Sequence, residues 1–568
     1  MEAKRSEPWQ ENEAPRSWVY RDVKHVRPAS ELVRELEHSL AELETGRPDC
    51  SQILDPLLRC GELECGLADY GSSEAAIACE LTDCVANVLV SRDTLALRTL
   101  ESHKKYLPRL SDRSSVSVSA PEGFAYYALH PLDLVEAARR LPDSDDPVAI
   151  IGIRSIGTVL SAVVASALKA MGDRTSRTST RPSGHPYDRK TRFTDKQIAW
   201  IRGQQVRHAR FVIVDEGPGL SGSSFLSVAE ALLKLAVPEE RILLLGSRPT
   251  DPEHLCASNA KQRWQRFQFR AAEPVRYKAI ANGADISGGQ WRERLLPPRA
   301  AWPACWPEME RLKFLSQERK WILKFEGIGR WGRENYHRSI MLGDAGFSPL
   351  PERIEEGMVS YPVMDRSPAS PELNAATVKR LAEYCAYRAK TFQVNVSPDR
   401  QLEEMIRFNA EQELGSCPDL DSGAVCTGTV VIADGRMQPH EWILCTDGRL
   451  LKVDAVSHGD DHFFPGPVDV AWDLAGAIVE WNMPAFASRA LLRNFLVLSG
   501  DDARRRIPVF VFAYSVFRMA YNRLALTSVA DPHERARLLN EHRRYKVRAE
   551  SVLQSSDFEQ RRPADDPS

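Results

Sequence analysis

Asp215 and Glu216 close a short apolar run, 211–214 (FVIV), and a loop of small residues follows them: Gly217, Gly219, Ser221, Gly222, Ser223 and Ser224. Residues 225–235 then have helical periodicity. A strand, a small-residue loop and a helix start together make an anion site. Backbone N–H groups at the helix N-terminus face a phosphate, glycines let it come close, and the three serines add hydroxyl donors. The two carboxylates would repel that phosphate, so they need another partner. A sugar diol suits them, because carboxylates accept hydrogen bonds from hydroxyls. Each part alone also fits an ordinary strand-to-helix turn; the combination points to a ligand.

One strand–helix unit earlier, residues 147–153 (PVAIIGI) read as a buried strand. It leads through Arg154, Ser155, Ile156 and Gly157 into a small-residue helix over 159–171. Arg154 would bring a fixed positive charge to an anion there. Between the two units, residues 172–196 carry Arg174, Arg177, Arg181, Arg189, Lys190 and Arg192 and little apolar surface. This segment is either a solvated loop or a mobile basic flap that closes over a polyanion. His185 within it is a proton donor or a loop hydrogen-bonder.

These two loops resemble those of type I phosphoribosyltransferases, of the orotate kind. Four residues separate the acids from Ser221, one more than is usual in that family. The resemblance implies a parallel doubly wound sheet and PRPP as substrate with Mg²⁺. Asp215 and Glu216 would hold the ribose, residues 217–224 the 5-phosphate, and Ser155, Ile156 and Gly157 the pyrophosphate. Arg154, Arg189 and Lys190 would be the catalytic cations. Loss of pyrophosphate through an oxocarbenium-like state depends on positioning and charge stabilisation more than on a strong base.

A second set of candidate groups lies downstream. Lys324 is near the end of an alternating run, 320–325 (KWILKF); Gly327, Gly329 and Gly332 follow, and Glu334 opens a helix. Then come 433–444 (ADGRMQPHEWIL), 449–455 (RLLKVDA) and 469–477 (DVAWDLAGA). Glu441 and Asp454 are two carboxylates able to hold a hard divalent cation. This order is similar to that of aminoglycoside phosphotransferases and choline kinases, which have a protein-kinase-like fold. The similarity implies that Lys324 and Glu334 bind the nucleotide, ATP, and that Glu441 and Asp454 bind Mg²⁺. The segment 469–477 would brace the catalytic loop. The family's base position holds Arg436, which cannot accept a proton at neutral pH. Asp434 and His440 are the nearby substitutes, and Arg436 would favour an anionic ligand. An unrelated α+β domain is the competing reading.

A chain of 568 residues is too long for one core. The elements needed to position these groups divide it into a tail (1–17), a helical module (18–125), an α/β unit (126–296), a Pro- and Trp-rich linker (297–308), an α+β kinase-like unit with a helical lobe (309–554) and a second tail (555–568). A hydrophobic fraction of 43% and a net charge of −3 fit a globular protein and give no whole-chain sign of nucleic-acid binding. The polar start is no signal peptide, the longest apolar run (507–517) is too short to span a bilayer, and the eleven cysteines lack any CxxC pair, so a cytoplasmic protein with reduced thiols is expected. The expected partners are a small-molecule substrate and a second copy in a homodimer, not a membrane. The motifs together favour a PRPP-dependent phosphoribosyltransferase with an unidentified acceptor. A nonenzymatic nucleotide sensor and a small-molecule kinase with an accessory transferase domain are the alternatives.

Overall fold

The computed structural model describes residues 17–21, 24–45, 48–111, 115–142, 144–185, 187–219, 221–296, 301–367, 370–396, 400–418 and 428–554. Nearly all of the two expected tails, part of the linker and Leu220 of the phosphate loop lie outside the described residues.

The apolar runs of the first half form a five-stranded parallel sheet. Its spatial order is Thr175–Thr180, Val148–Ile153, Arg210–Val214, Ile242–Gly246, Gln268–Ala271. Side chains alternate across it as strand geometry requires. Val148 and Ile150 face a core shared with the helix Ile156–Ala170, whereas Ala149, Ile151 and Ile153 face the helices Asp195–Val206 and Ser223–Lys234. Helices Ala29–Ala41, Cys50–Tyr70 and Ala75–Ser91 extend the first of these layers. Two glycines fix how closely strand and helix approach. A Cβ on Gly152 would lie 2.3 Å from the Gly157 carbonyl oxygen, and one on Gly157 would lie 2.4 Å from that of Val214.

Residues 172–196 are not one flap. Their first part is the edge strand Thr175–Thr180, five hydroxyl residues and Arg177, which pairs along all of Val148–Ile153. Arg177 is buried there between Glu64, at 2.9 Å, and Asp83, at 2.7 Å. Thr194 caps the helix Asp195–Val206 with a reciprocal capping box. Among the described residues of this segment, 172–174, 181–185 and 187–193 lie outside the strand and the capped helix.

The second half begins with a five-stranded antiparallel sheet in the order Ile354–Glu355, Met358–Pro362, Trp321–Phe325, Lys313–Ser316, Gly283–Asp285. Its edge strand Gly283–Asp285 thus lies ahead of residues 297–308 in the chain. A hairpin, Trp442–Leu444 with Leu450–Lys452, and a helical lobe follow. The lobe's longest helices are Ile507–Ser528 and Pro532–Leu553. The halves share one core: Phe314, Leu323, Phe325 and Met358 of the antiparallel sheet pack with the buried residues of the N-terminal helices. The segment Trp18–Arg21 straps the other way, with the Phe464 amide donating to the Val19 carbonyl and the Arg21 amide to that of His462. Among the described residues no helix is long and apolar enough to cross a membrane.

Candidate active site

The strand Trp321–Phe325 sends Leu323 and Phe325 into the shared core and Lys324 to the opposite face, where it borders a cavity of about 400 Å³. The cavity lies between the antiparallel sheet, the 433–458 segment and the helical lobe. Lys324 Nζ contacts the Asp454 carboxylate, donates to Ser457 Oγ at 2.6 Å, and lies 3.0 Å from Glu326 Oε1. Asp454 has a φ of 58°, a left-handed conformation that costs a non-glycine residue roughly 1–2 kcal/mol. Burial works against its charge, but Lys324 holds the carboxyl well below the usual range.

The hairpin sets a second pair. Trp442 lies opposite Lys452 in the ladder, and Lys452 Nζ donates to Glu441 Oε2 at 2.9 Å and lies 3.3 Å from Asp434 Oδ1. Burial pushes the Glu441 carboxyl up to about 7, with Lys452 offsetting part of the effect. Glu441 and Asp454 thus border one cavity, each held by its own lysine.

The loop between them is braced from below. Asp473, on the helix Ala471–Glu480, accepts the amides of Asp434 at 2.8 Å and Gly435 at 3.0 Å. Arg388, fully buried, lies 3.6 Å from Asp473 and donates to the carbonyls of Ile432 and Ala455. The bracing expected of 469–477 is therefore carried by Asp473.

Not every expected group reaches the site. Glu334 is exposed on the helix Arg330–Asp344 and does not border the cavity; the nearby acid that does reach Lys324, besides Asp454, is Glu326, two residues on and just past the strand's end. Asp434 is buried against Lys452 and the Tyr384 hydroxyl and does not line the cavity either. His440 lines it, stacked on Trp291 with ring centroids 5.8 Å apart, and burial lowers its imidazole to about 3, which makes it a poor base. Arg436 lines it as well. Sequence reasoning passed over Glu326, Ser457 and Lys452. The alternation of Lys324 with Glu326, and of Lys452 with Asp454, was the available signal.

The sequence-predicted residues of the first half gather at the C-terminal end of the parallel sheet. Asp215 accepts the Glu216 amide at 2.9 Å and has no ion-pair partner among the described residues; burial pushes its carboxyl up to about 8. Glu216 rests against Gly123 and lies 3.5 Å from Arg248, and burial raises it too. Glu122 is pushed up to about 7 by burial and by Glu216. Ser221 and Ser223 are buried and bonded to each other at 3.0 Å, at the start of the helix Ser223–Lys234; Ser224 beside them is half-buried. Gly217 and Gly219 precede them in the loop, and Gly222, with a φ of 71°, caps that helix.

The cations intended for pyrophosphate are engaged elsewhere. Arg154 and Arg181 both grip Asp69, at 2.9 and 2.6 Å, from the end of the helix Cys50–Tyr70. Ile156 and Gly157 are buried. Gly157 meets the Asp215 strand end at packing distance, so the spacing of Gly152 and Gly157 serves close strand–helix contact. Ser155 is held at a φ of 100°, its amide donating to Cys65 Sγ at 3.4 Å. Arg189 is half-buried, and Lys190 pairs in solvent with Asp188 at 2.6 Å. The His185 ring nitrogen Nδ1 accepts the Tyr187 amide at 3.2 Å, the loop-bonding role. A buried trio elsewhere, Cys50, His130 and Glu356, is close enough to share an ion. Arg276 already neutralises Glu356, and the Leu132 amide occupies His130 Nδ1.

The two regions are joined by Tyr127. Its hydroxyl meets His462 Nε2 at 2.5 Å, Arg248 lies over its ring at 5.7 Å, and both Tyr126 and Tyr127 line the cavity of the second half.

No protein-family model and no curated protein matches this sequence. Among solved structures, part of the chain is similar to a choline/ethanolamine kinase family protein from Mesorhizobium loti, with 15% identity over 44% of this chain and 87% of that one and a TM-score of 0.31. It is also similar to the choline kinase LicA from Streptococcus pneumoniae, with 14% identity over 42% and 89% and a TM-score of 0.28. A Plasmodium vivax ethanolamine kinase gives 11% identity over 44% and 81%, with a TM-score of 0.30. Likenesses at these TM-scores decide neither fold nor function, and the functional reading rests on the geometry above.

Proposed function

We propose that this chain is an ATP-dependent small-molecule phosphotransferase whose site is the cavity around Lys324, Glu441 and Asp454, with the parallel-sheet half as an accessory domain. The observation that carries it is the Lys324–Asp454 pair at the cavity wall, beside a loop braced by Asp473. Phosphoryl transfer depends chiefly on positioning and electrostatics, which this arrangement supplies. Lys324 would turn from Asp454 to the nucleotide phosphates. The two cavity carboxylates, with Glu326 Oε2 buried and unpartnered beside them, form an oxygen donor set suited to Mg²⁺. Asp454 and Glu441 would hold the ion, which supplies neutralisation of phosphate charge. This reverses the order that the motifs alone suggest, because Arg154 is tied to Asp69 while the second-half groups face open space.

The test is calorimetry of the full chain with Mg²⁺ and a non-hydrolysable ATP analogue. Binding is expected, and Asp454→Asn should weaken it at least tenfold. Absence of nucleotide binding by a folded protein would sink this reading.

A second reading, PRPP binding at Asp215 and Glu216, is favoured by Ser155. A serine held at positive φ is strained by about 1–3 kcal/mol, and such strain gathers at ligand sites. Mg²⁺-dependent PRPP binding, weakened by Asp215→Asn with Glu216→Gln by about 3 kcal/mol, is the expected result. Equal PRPP affinity in that double variant would remove it.

A further inference from the structure

The wall of the cavity facing the helical lobe is cationic and lacks a base where one is expected. Arg436, five residues before Glu441, meets only the Tyr521 hydroxyl at 3.5 Å and that ring's face at 5.6 Å; it has no carboxylate at ion-pair distance among the described residues. Arg518, on the helix Ile507–Ser528, borders the same cavity and is 6% exposed. Its Nε reaches the Tyr545 hydroxyl at 3.4 Å and Glu480 at 3.9 Å, and its Nη1 has no hydrogen-bond partner. Glu480 is claimed more closely by Arg544, at 2.7 Å, and by two tyrosine hydroxyls. An unpartnered guanidinium N–H in such surroundings is costly unless a ligand uses it. The described residues lining the cavity include nine Lys or Arg against five Asp or Glu. Guanidinium is the side chain best matched to the two oxygens of a carboxylate or phosphate.

Building on the phosphotransferase reading, we propose that the acceptor is an oxyanion, a carboxylate or phosphate, held by Arg436 and Arg518 and attacking through its own charged oxygen. That oxygen carries no proton at neutral pH, so the missing base is no defect. The acceptor oxygen's lone pair forms a bond to the γ-phosphorus of ATP. The bond from that phosphorus to the β–γ bridging oxygen breaks, and its electron pair leaves with ADP. No proton moves. The product is an acyl phosphate from a carboxylate or a phosphoanhydride from a phosphate. Asp461, which lines the cavity and accepts the Phe463 amide at 2.7 Å, is the one competing base to test.

The experiment titrates the full chain, saturated with Mg²⁺ and a non-hydrolysable ATP analogue, with four probes: ribose 5-phosphate, succinate, ribose and choline. At least one of the two anions should bind, and which one identifies phosphate or carboxylate. Ribose and choline should bind at least tenfold more weakly. Arg436→Gln and Arg518→Gln should each weaken the anion tenfold or more while changing analogue affinity less than threefold. Arg436→Lys, which keeps the charge, should recover part of the loss and guards against a misfolded glutamine variant. Analogue binding without anion binding, anion binding indifferent to both arginines, or preferred binding of choline would overturn the proposal and leave the phosphotransferase reading intact. So would ATP-dependent phosphorylation of a hydroxyl probe that is lost in Asp461→Asn. No analogue binding at all would instead remove the reading on which it rests.

Discussion

The two halves each bring a pair of carboxylates to the rim of a sheet, and treat them oppositely. In the second half every acid is answered by a lysine: Asp454 by Lys324, Glu441 by Lys452. In the first half Asp215 has a backbone amide and no close cation, and Glu216 has only Arg248 at 3.5 Å, a half-exposed side chain. The consequence is opposite shifts for Asp454 and Asp215. Asp454 is held well below the ordinary carboxylate range, while Asp215 is pushed up to about 8. Burial acts on both; the difference is the nearby cation, which decides whether a carboxylate stays ionised. A site with an ionised Asp454 and a displaceable Lys324 is set for a metal–nucleotide complex. A site whose Asp215 is pushed toward its protonated form must first lose a proton or gain a cation.

The comparison breaks most directly at Lys324. Lys324→Met strands a mostly buried Asp454, and the variant should lose about 3 kcal/mol of stability near neutral pH, read by urea unfolding. The Asp454 carboxyl should then titrate upward, toward the behaviour of Asp215, in carbon-detected NMR. Unchanged stability and titration would mean that the pair contributes nothing.

Asp215→Asn tests the other side. Its folded-state value, about 8, lies above the ordinary 3.8, so between those values the folded state holds an extra proton. Its contribution to stability is therefore complete below about pH 4 and falls as pH rises to 8, by about 1.4 kcal/mol per pH unit. The asparagine variant lacks this slope, so its stability should gain on the parent's with rising pH. Parallel profiles from pH 5 to 8 would show that Asp215 is ionised throughout.

Asp473→Asn sharpens the comparison by loosening the loop while leaving both lysine pairs in place. It keeps one carbonyl acceptor for two buried amides and removes the charge beside Arg388, for an expected loss of about 1–3 kcal/mol. Amide hydrogen exchange at Asp434 and Gly435 should quicken; unchanged protection there would show that Asp473 is not the brace.

The smallest effect belongs to Arg154. Its pair with Asp69 is partly exposed, so Arg154→Gln should change stability by no more than about 1 kcal/mol. The same substitution should weaken PRPP binding if the second reading holds. A large stability loss would make the Asp69 clasp structural.

Much of this was legible in the chain. The runs 147–153, 211–214 and 241–246 alternate or run apolar in the way a doubly covered parallel strand must, and the parallel sheet follows from them. The Thr175–Thr180 strand was not legible, because an edge strand with polar residues lacks the apolar signal and reads as loop. Glu334 was misplaced for a related reason: linear order puts an acid on the next helix, but only the sheet's pleat shows that Glu326 shares the face of Lys324.

The sequence by itself determined residue types and local order: acids at strand ends and glycines where strand and helix meet. Those follow from short-range periodicity and side-chain chemistry. Which acid would meet a cation was decided only by the tertiary structure. Lys324 reaches Asp454 across 130 residues of chain, and Asp69 reaches Arg154 across 85. Charge state depends on distance and burial in space, and neither is written in the spacing along the chain.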